Sequence, residues 1–300
     1  MPNRTQGEHP QEIGQWSEAA LRVLKERYLA EGETPEDMCW RVARKIASAE
    51  AVWGADEAEC LRVATDFYTL MVTRRFLPNS PTLMNAGRND DLQFSACFVL
   101  PIEDSINGIY SAIRNAALIH QSGGGTGFSF SRLRAKGSPC RSSGGTASGP
   151  VSFLRVFDAA TNAIKQGGRR RGANMAVLRS DHADLLEFVE CKLDGSITNF
   201  NISVAATDGF MAAVLEDRHV ALIDPHRPEL VGSRTLPARD VWERIVQAAW
   251  RTGDPGLFFV DRVNAGPANP VPDIELIEAP NPCGESSLGP NDACNLGSLN

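Results

Sequence analysis

Residues 281–300, NPCGESSLGPNDACNLGSLN, place Cys283 between Asn281 and Glu285, with Pro282 and Gly284 at its sides and a second thiol, Cys294, further along. Pro and Gly bend the backbone here, so the Asn281, Cys283 and Glu285 side chains can converge. A neighbouring carboxylate raises a thiol pKa, whereas nucleophilic catalysis needs it lowered by a histidine or a helix start. None of the five histidines lies near this loop in sequence. A thiol kept protonated beside a carboxylate suits another chemistry: loss of a hydrogen atom to give a thiyl radical, with the carboxylate as proton acceptor. Zinc is the alternative for paired cysteines, but the spacing is not Cys-x-x-Cys and no histidine accompanies it.

Two glycine-rich stretches are the next candidates. SGGGTGFSFSRLR (122–134) lies between a helical pattern and an apolar segment, where backbone N–H groups could converge on a phosphate or ribose or simply make a tight turn. It matches neither the dinucleotide fingerprint nor the Walker pattern. KQGGRRRGAN (165–174) sets four cations among three glycines inside an acidic chain, which points to an anionic ligand such as a phosphate ester. Asp104 and Ser105, in PIEDSINGIYSAI, sit at a helix start and read on their own as an N-cap.

The elements that must position these groups fall into two parts. Residues 1–15 read as a loose tail and 16–93 as a helical module. Its helices are SEAALRVLKERYL behind a Ser cap, TPEDMCWRVARKIASAEAVW behind a Thr-Pro-Glu start, and DEAECLRVATDFYTLMVTRRFLP, ended by Pro78. From 94 to 300 short apolar runs alternate with helical patterns. QFSACFVLP, MAVLRS, FNISVAAT and HVALIDP read as buried strands. INGIYSAIRNAALIH, GPVSFLRVFDAATNAIK, HADLLEFVECKL and ARDVWERIVQAAWRT read as helices. The fold class is therefore α/β with parallel strands. The last forty residues read as a long functional loop. With 300 residues and 42 % hydrophobic composition the chain can bury a sizeable core. A net charge of −7 argues against coating nucleic acid, and no stretch has the length of a membrane span, so a cytoplasmic protein with seven reduced cysteines is expected.

Taken together, FLPNSPTLMNAG, QFSACFVLPIEDS, SGGGTGFSFSRLRAKG, GGRRRGANMAVLR and NPCGE…ACNLGS strongly resemble, in order, the large catalytic subunit of ribonucleotide reductase, most closely its class II, adenosylcobalamin-dependent branch. The resemblance runs from about residue 21 to 300. It implies a helical N-terminal domain followed by the first half of a ten-stranded α/β barrel. It implies Cys283 as the thiyl radical that takes the ribose 3′ hydrogen, Glu285 as acceptor of the 3′ hydroxyl proton, and Asn281 as holder of the substrate hydroxyls. Cys97 and Cys294 match the thiol pair that closes to a disulfide as the 2′ hydroxyl leaves. Ser80, Thr82, Ala96 and Gly125 resemble substrate contacts. Asp104, Ser105 and Arg134 resemble the site where a deoxynucleoside triphosphate or ATP acts as effector, and Gln166, Gly167, Gly168, Arg169, Arg170, Arg171 and Gly172 the loop that relays effector identity. No metal site is implied, and Cys39, Cys60, Cys140 and Cys191 match no catalytic position.

The resemblance also implies partners: a ribonucleotide substrate, a thioredoxin-type reductant, a second copy of the chain, and the C-terminal half of the reductase, which family members carry beyond CNLGSLN. The expected function is reduction of ribonucleotides to 2′-deoxyribonucleotides once that half is attached. The competing readings are an inactive fragment or regulatory paralogue that only binds effector, and a small nucleotide-binding enzyme with borrowed motifs. The full set of Asn281, Cys283, Glu285, Cys97 and Cys294 favours the first reading.

Overall fold

The computed structural model describes residues 9–11, 13–88, 92–140, 144–166, 170–232 and 234–300. They form two compact units, one of residues 1–96 with 295–300 and one of 97–294.

The first unit is helical. Ser17 caps α1 (Glu18–Arg27) by accepting from Ala20 N–H, and Thr34 and Asp37 close a reciprocal capping box on α2 (Pro35–Ala47). Asp56 caps α3 (Glu57–Val72). This third helix stops well before Pro78, contrary to the expectation. Thr73 is its C-cap, Arg74 takes a positive φ of 60°, and Phe76–Pro78 is a strand, β1. The short helix α4 (Ser80–Asn85) follows, capped by Asn79. Met38, Val42, Tyr68, Met71 and Leu83 form the core of this unit, with Leu24 and Leu29 packed against it. Leu21, on α1, is exposed.

The second unit is built on β2 (Cys97–Leu100), α5 (Ile106–Gln121), β3 (Gly125–Ser129), α6 (Pro150–Ala163), the two-residue strands β4 (Lys165–Gln166) and β5 (Arg170–Arg171), and β6 (Asn174–Arg179). It continues through α7 (Leu185–Glu190), β7 (Phe200–Ala205), α8 (Asp208–Leu215), β8 (His219–Ala221), β9 (Thr235–Pro237), α9 (Ala238–Thr252), β10 (Gly256–Phe258) and α10 (Val260–Ala265). It ends in β11 (Ala279–Pro280), β12 (Ser287–Leu288) and β13 (Ala293–Cys294). Five parallel strands lie side by side in chain order, β2-β3-β6-β7-β10, and β13 joins the β2 edge antiparallel. This is the partial α/β barrel of the expectation. The last strand, β14 (Gly297–Leu299), pairs antiparallel with β1 inside the helical unit.

Alternation along β6 explains why the strands read as unbroken apolar runs. Ala176 and Leu178 face a core shared with Phe128, Phe157 and Phe200, whereas Met175 and Val177 face a second core with Val99, Phe258 and Ala279. Both faces are buried, as parallel sheets require. Three expectations are corrected. HVALIDP is not a buried strand of the sheet: β8 pairs with β9, Ile223 beyond it makes an isolated parallel bridge to His182, and Val220 packs beside α8 and α9 residues while His219 stays exposed. GGGTGFSF is a central strand, because Thr126 and Phe128 alternate with glycines that carry no apolar signal. The last forty residues are not one loop, since they hold α10 and the short strands β11 to β14.

Candidate active site

Strands β11 and β12 pair antiparallel, so 279–288 is a hairpin with Asn281–Ser286 at its tip. Asn281 organises that tip from a fully buried position. Its backbone N–H donates to Ser286 O (3.0 Å), and its Oδ1 accepts from Gly284 N–H and Ser286 N–H, 3.1 Å each. An oxygen that accepts two N–H groups fixes the amide orientation, so Nδ2 faces and donates to Cys97 Sγ at 3.2 Å. Gly284 turns the chain with φ +86°, where a side chain would strain the backbone. Cys283 and Glu285 stand exposed on the tip.

The hairpin lies directly on β3. A Cβ on Gly127 would come within 1.9 Å of Pro280 O, and one on Gly125 within 2.6 Å of Pro282 Cγ. The glycines thus serve close backbone approach inside a strand rather than the tight turn that the sequence offered as the alternative to a phosphate contact. Asn201, an exposed polar residue in the apolar run of β7, donates from Nδ2 to Pro282 O at 2.8 Å. It was missed in the sequence, although a polar residue interrupting FNISVA is the signal that marks it.

Cys97 and Cys294 are directly opposed in the β2–β13 ladder, and both are thiols. Opposed antiparallel residues have Cα atoms about 4.5 to 5.5 Å apart, inside the window of about 4.4 to 6.8 Å that a disulfide spans. Burial pushes the Cys97 thiol up to about 12; the Asn281 amide opposes the shift, while Cys294 and the Glu285 carboxylate add to it. Cys97 is therefore held as a thiol at neutral pH. Cys39 and Cys191 are also pushed up to about 12 by burial and sit in the two cores.

The remaining predicted residues are placed as follows. In the helical unit Ser80 Oγ and Tyr28 OH are 2.8 Å apart, Thr82 Oγ1 donates to Phe94 O at 3.0 Å, and Ala96 is buried. Thr82 also lines a cavity of about 300 Å³ with Phe67, Met71 and Leu296. In the barrel unit Asp104 receives Arg134 Nε on Oδ2 at 2.7 Å, and both border a cavity of about 430 Å³ with Ile109, Cys140, Gly149 and Phe153. Ser105 caps α5 through Gly108 N–H, so the capping reading is a fact of the structure. The predicted relay loop is a hairpin of β4 and β5; Gly167, Gly168 and Arg169 lie outside the described residues.

Behind Gly172 a buried polar chain was also missed. His120 Nε2 lies 3.1 Å from Thr126 Oγ1, Thr126 donates to Asn174 Oδ1 (2.6 Å), and Asn174 Nδ2 donates to Thr161 Oγ1 (3.0 Å). Burial pulls the His120 pKa down to about 4, so the ring is neutral. Its signal in sequence was weak, since a single histidine at a helix end reads as surface.

A family profile described as ribonucleotide reductase, barrel domain, matches residues 95–300, and one described as ribonucleotide reductase, all-alpha domain, matches residues 15–91. Among curated proteins, a vitamin B12-dependent ribonucleoside-diphosphate reductase of Thermoplasma acidophilum is 50 % identical over 78 % of this chain and 30 % of its own length. The protein of that name from Mycobacterium tuberculosis is 45 % identical over 94 % of this chain and 41 % of its own length. The ribonucleoside-diphosphate reductase large chain of Schizosaccharomyces pombe is 32 % identical over 93 % of this chain and 37 % of its own length. The chain thus spans well under half the length of these relatives. With two profiles covering nearly all of it in order, the chain belongs to the ribonucleotide reductase large-subunit family.

Proposed function

We propose that this chain carries the radical hairpin and the reducing thiol pair of a ribonucleotide reductase. The observation that carries the reading is the junction of Asn281 with Cys97 Sγ beside the opposed Cys97 and Cys294, at the base of a hairpin that presents Cys283 and Glu285. In this reading the Cys283 thiyl takes the 3′ hydrogen atom of the ribose, forming its S–H bond, while Glu285 accepts the 3′ hydroxyl proton. The 2′ hydroxyl leaves as water with a proton from the Cys97–Cys294 pair. That pair supplies two electrons and a second hydrogen and closes to a disulfide. Cys283 then returns the 3′ hydrogen atom and Glu285 returns the proton to the 3′ oxygen. The sum is ribonucleotide plus dithiol going to deoxyribonucleotide, disulfide and water.

Burial keeps Cys97 protonated at neutral pH, which fits a thiol that enters the reaction with its hydrogen in place. The exposed Cys283 on the hairpin tip fits a thiol that an external group must reach. Adenosylcobalamin, named through vitamin B12 in two of these relatives, supplies when bound the one-electron chemistry that starts the reaction. Two of Asn281's three polar contacts are spent on the hairpin and one on Cys97, so the single remaining Nδ2–H is what it can offer a substrate hydroxyl. Gly125, with Ser80, Thr82 and Ala96, completes the proposed substrate contacts. Asp104, Ser105 and Arg134 are proposed to bind a deoxynucleoside triphosphate or ATP, and residues 166–172 to relay its identity. A thioredoxin-type reductant, a second copy of the chain and the part of the reductase that the relatives' greater length represents are the proposed partners.

The test is Cys283→Ala in the full-length reductase that carries this sequence. Turnover should disappear while effector affinity stays unchanged, and residual turnover would count against the radical assignment.

A further inference from the structure

We propose that His226 is a third member of the effector site, a protonatable counter-ion that takes over the Asp104 carboxylate when Arg134 turns to a triphosphate. This rests on the effector reading of Asp104 and Arg134. His226 Nε2 lies 2.8 Å from Asp104 Oδ2. Arg134 Nε donates to the same oxygen at 2.7 Å, with Nη2 in ion-pair contact at 2.6 Å and donating to Asp104 O at 3.4 Å, while Arg134 backbone N–H reaches Oδ1 at 3.2 Å. Three side-chain nitrogens, two of Arg134 and one of His226, crowd one oxygen. Its lone pairs cannot serve all of them well, and His226 is the side chain that stays when Arg134 turns away.

The ring is aimed by its own loop. Asp224 Oδ1 accepts His226 N–H at 3.0 Å and Ala135 N–H at 3.3 Å, and its Oδ2 accepts Ser138 Oγ, which pins 224–226 to the turn that follows Arg134. Among the described residues, the charged groups that meet His226 or its partners are Asp104 before α5, Arg134 after β3, and Asp224 and Arg227 on its own loop. Lys136, in the same turn, is paired with Glu187.

Asp104 has a side chain only 12 % exposed, so withdrawing Arg134 alone would strand a half-desolvated carboxylate. A protonated His226 removes that penalty and leaves the guanidinium to the phosphates, where its fork geometry is most useful. At 44 % exposure the imidazole can take its proton from solvent. Effector binding is then linked to proton uptake: affinity is higher with the imidazole charged than with it neutral.

The experiment is calorimetric titration of the 300-residue chain with dATP, dGTP and dTTP in turn, at about pH 5.5 and about pH 8, for the natural sequence, His226→Gln and Arg134→Gln. His226→Gln keeps a neutral donor and shares the nucleotide's own phosphate titration, so the difference between its pH profile and the natural one isolates His226. The natural chain should lose about five- to tenfold more affinity between the two pH values than His226→Gln does, and should take up more protons on binding. Equal pH ratios and equal proton uptake in the two would overturn the role of His226 while Arg134→Gln still weakens binding. Failure of every triphosphate to bind, or unaltered binding by Arg134→Gln, would instead overturn the effector reading and the inference with it.

Discussion

At the scale of single residues the site is governed by which polar atoms are already committed. Asn281 has its oxygen occupied by two backbone N–H groups, and that occupation turns its amide hydrogens toward Cys97. Cys97 is consequently a buried thiol with one donor on its sulfur and a pKa near 12, raised chiefly by burial. The sign matters for reactivity. A thiol with its pKa raised holds its proton through neutral pH and yields thiolate only as pH climbs toward that value. Alkylation by iodoacetamide, followed by peptide mapping, should therefore label exposed Cys283 rapidly at pH near 8 and Cys97 at least tenfold more slowly. Asn281→Ala, which removes the one contact that lowers the Cys97 pKa, should slow Cys97 further if the hairpin holds its place. Fast labelling of Cys97 in the natural chain would show that its burial and its partner have been misjudged.

At the scale of elements the decisive contact is the 279–288 hairpin lying on β3. Gly127 has no room for even a methyl group: a Cβ there would stand 1.9 Å from Pro280 O, a backbone atom that cannot swing aside. Gly127→Ala should therefore lift the hairpin and cost about 2 kcal/mol or more of unfolding free energy, read by urea denaturation. A variant of natural stability would mean that the hairpin does not rest on that strand. Much of this arrangement was legible beforehand. The Ser17 and Thr34 caps, the helices α5, α6 and α9, and the strands β2, β6 and β7 follow from capping chemistry and from apolar runs bounded by polar residues. What escaped were elements whose evidence is not local. Strand β3 has glycine at two of its five positions, so its alternation carries only Thr126 and Phe128. Strand β13 is two residues long and exists because β2 offers it an edge. Val220 seemed to belong to the sheet because an apolar run does not disclose which neighbour will bury it.

At the scale of the whole molecule the thiol pair occupies a distinctive place, for Cys97 and Cys294 are the first and last residues of the barrel unit. Their pairing is a non-local event that no spacing rule could reveal. The five residues Cys97, Asn281, Cys283, Glu285 and Cys294 were identifiable as a group through the family's motifs, but the bond from Asn281 to Cys97 was visible only in three dimensions. The ladder that sets β13 against β2 thus places in one spot the two sulfurs that the proposed chemistry requires. The helical unit, with its own core, capped helices and Thr82 cavity, carries the remaining proposed substrate contacts.

The account is tested most directly by mild oxidation of the natural chain followed by mass-spectrometric mapping of its disulfides under non-reducing conditions. A Cys97–Cys294 crosslink as the dominant product, with Cys283 still a thiol, is the predicted result. A map in which Cys97 and Cys294 stay unlinked, or in which either is joined to a cysteine outside this site, would contradict it.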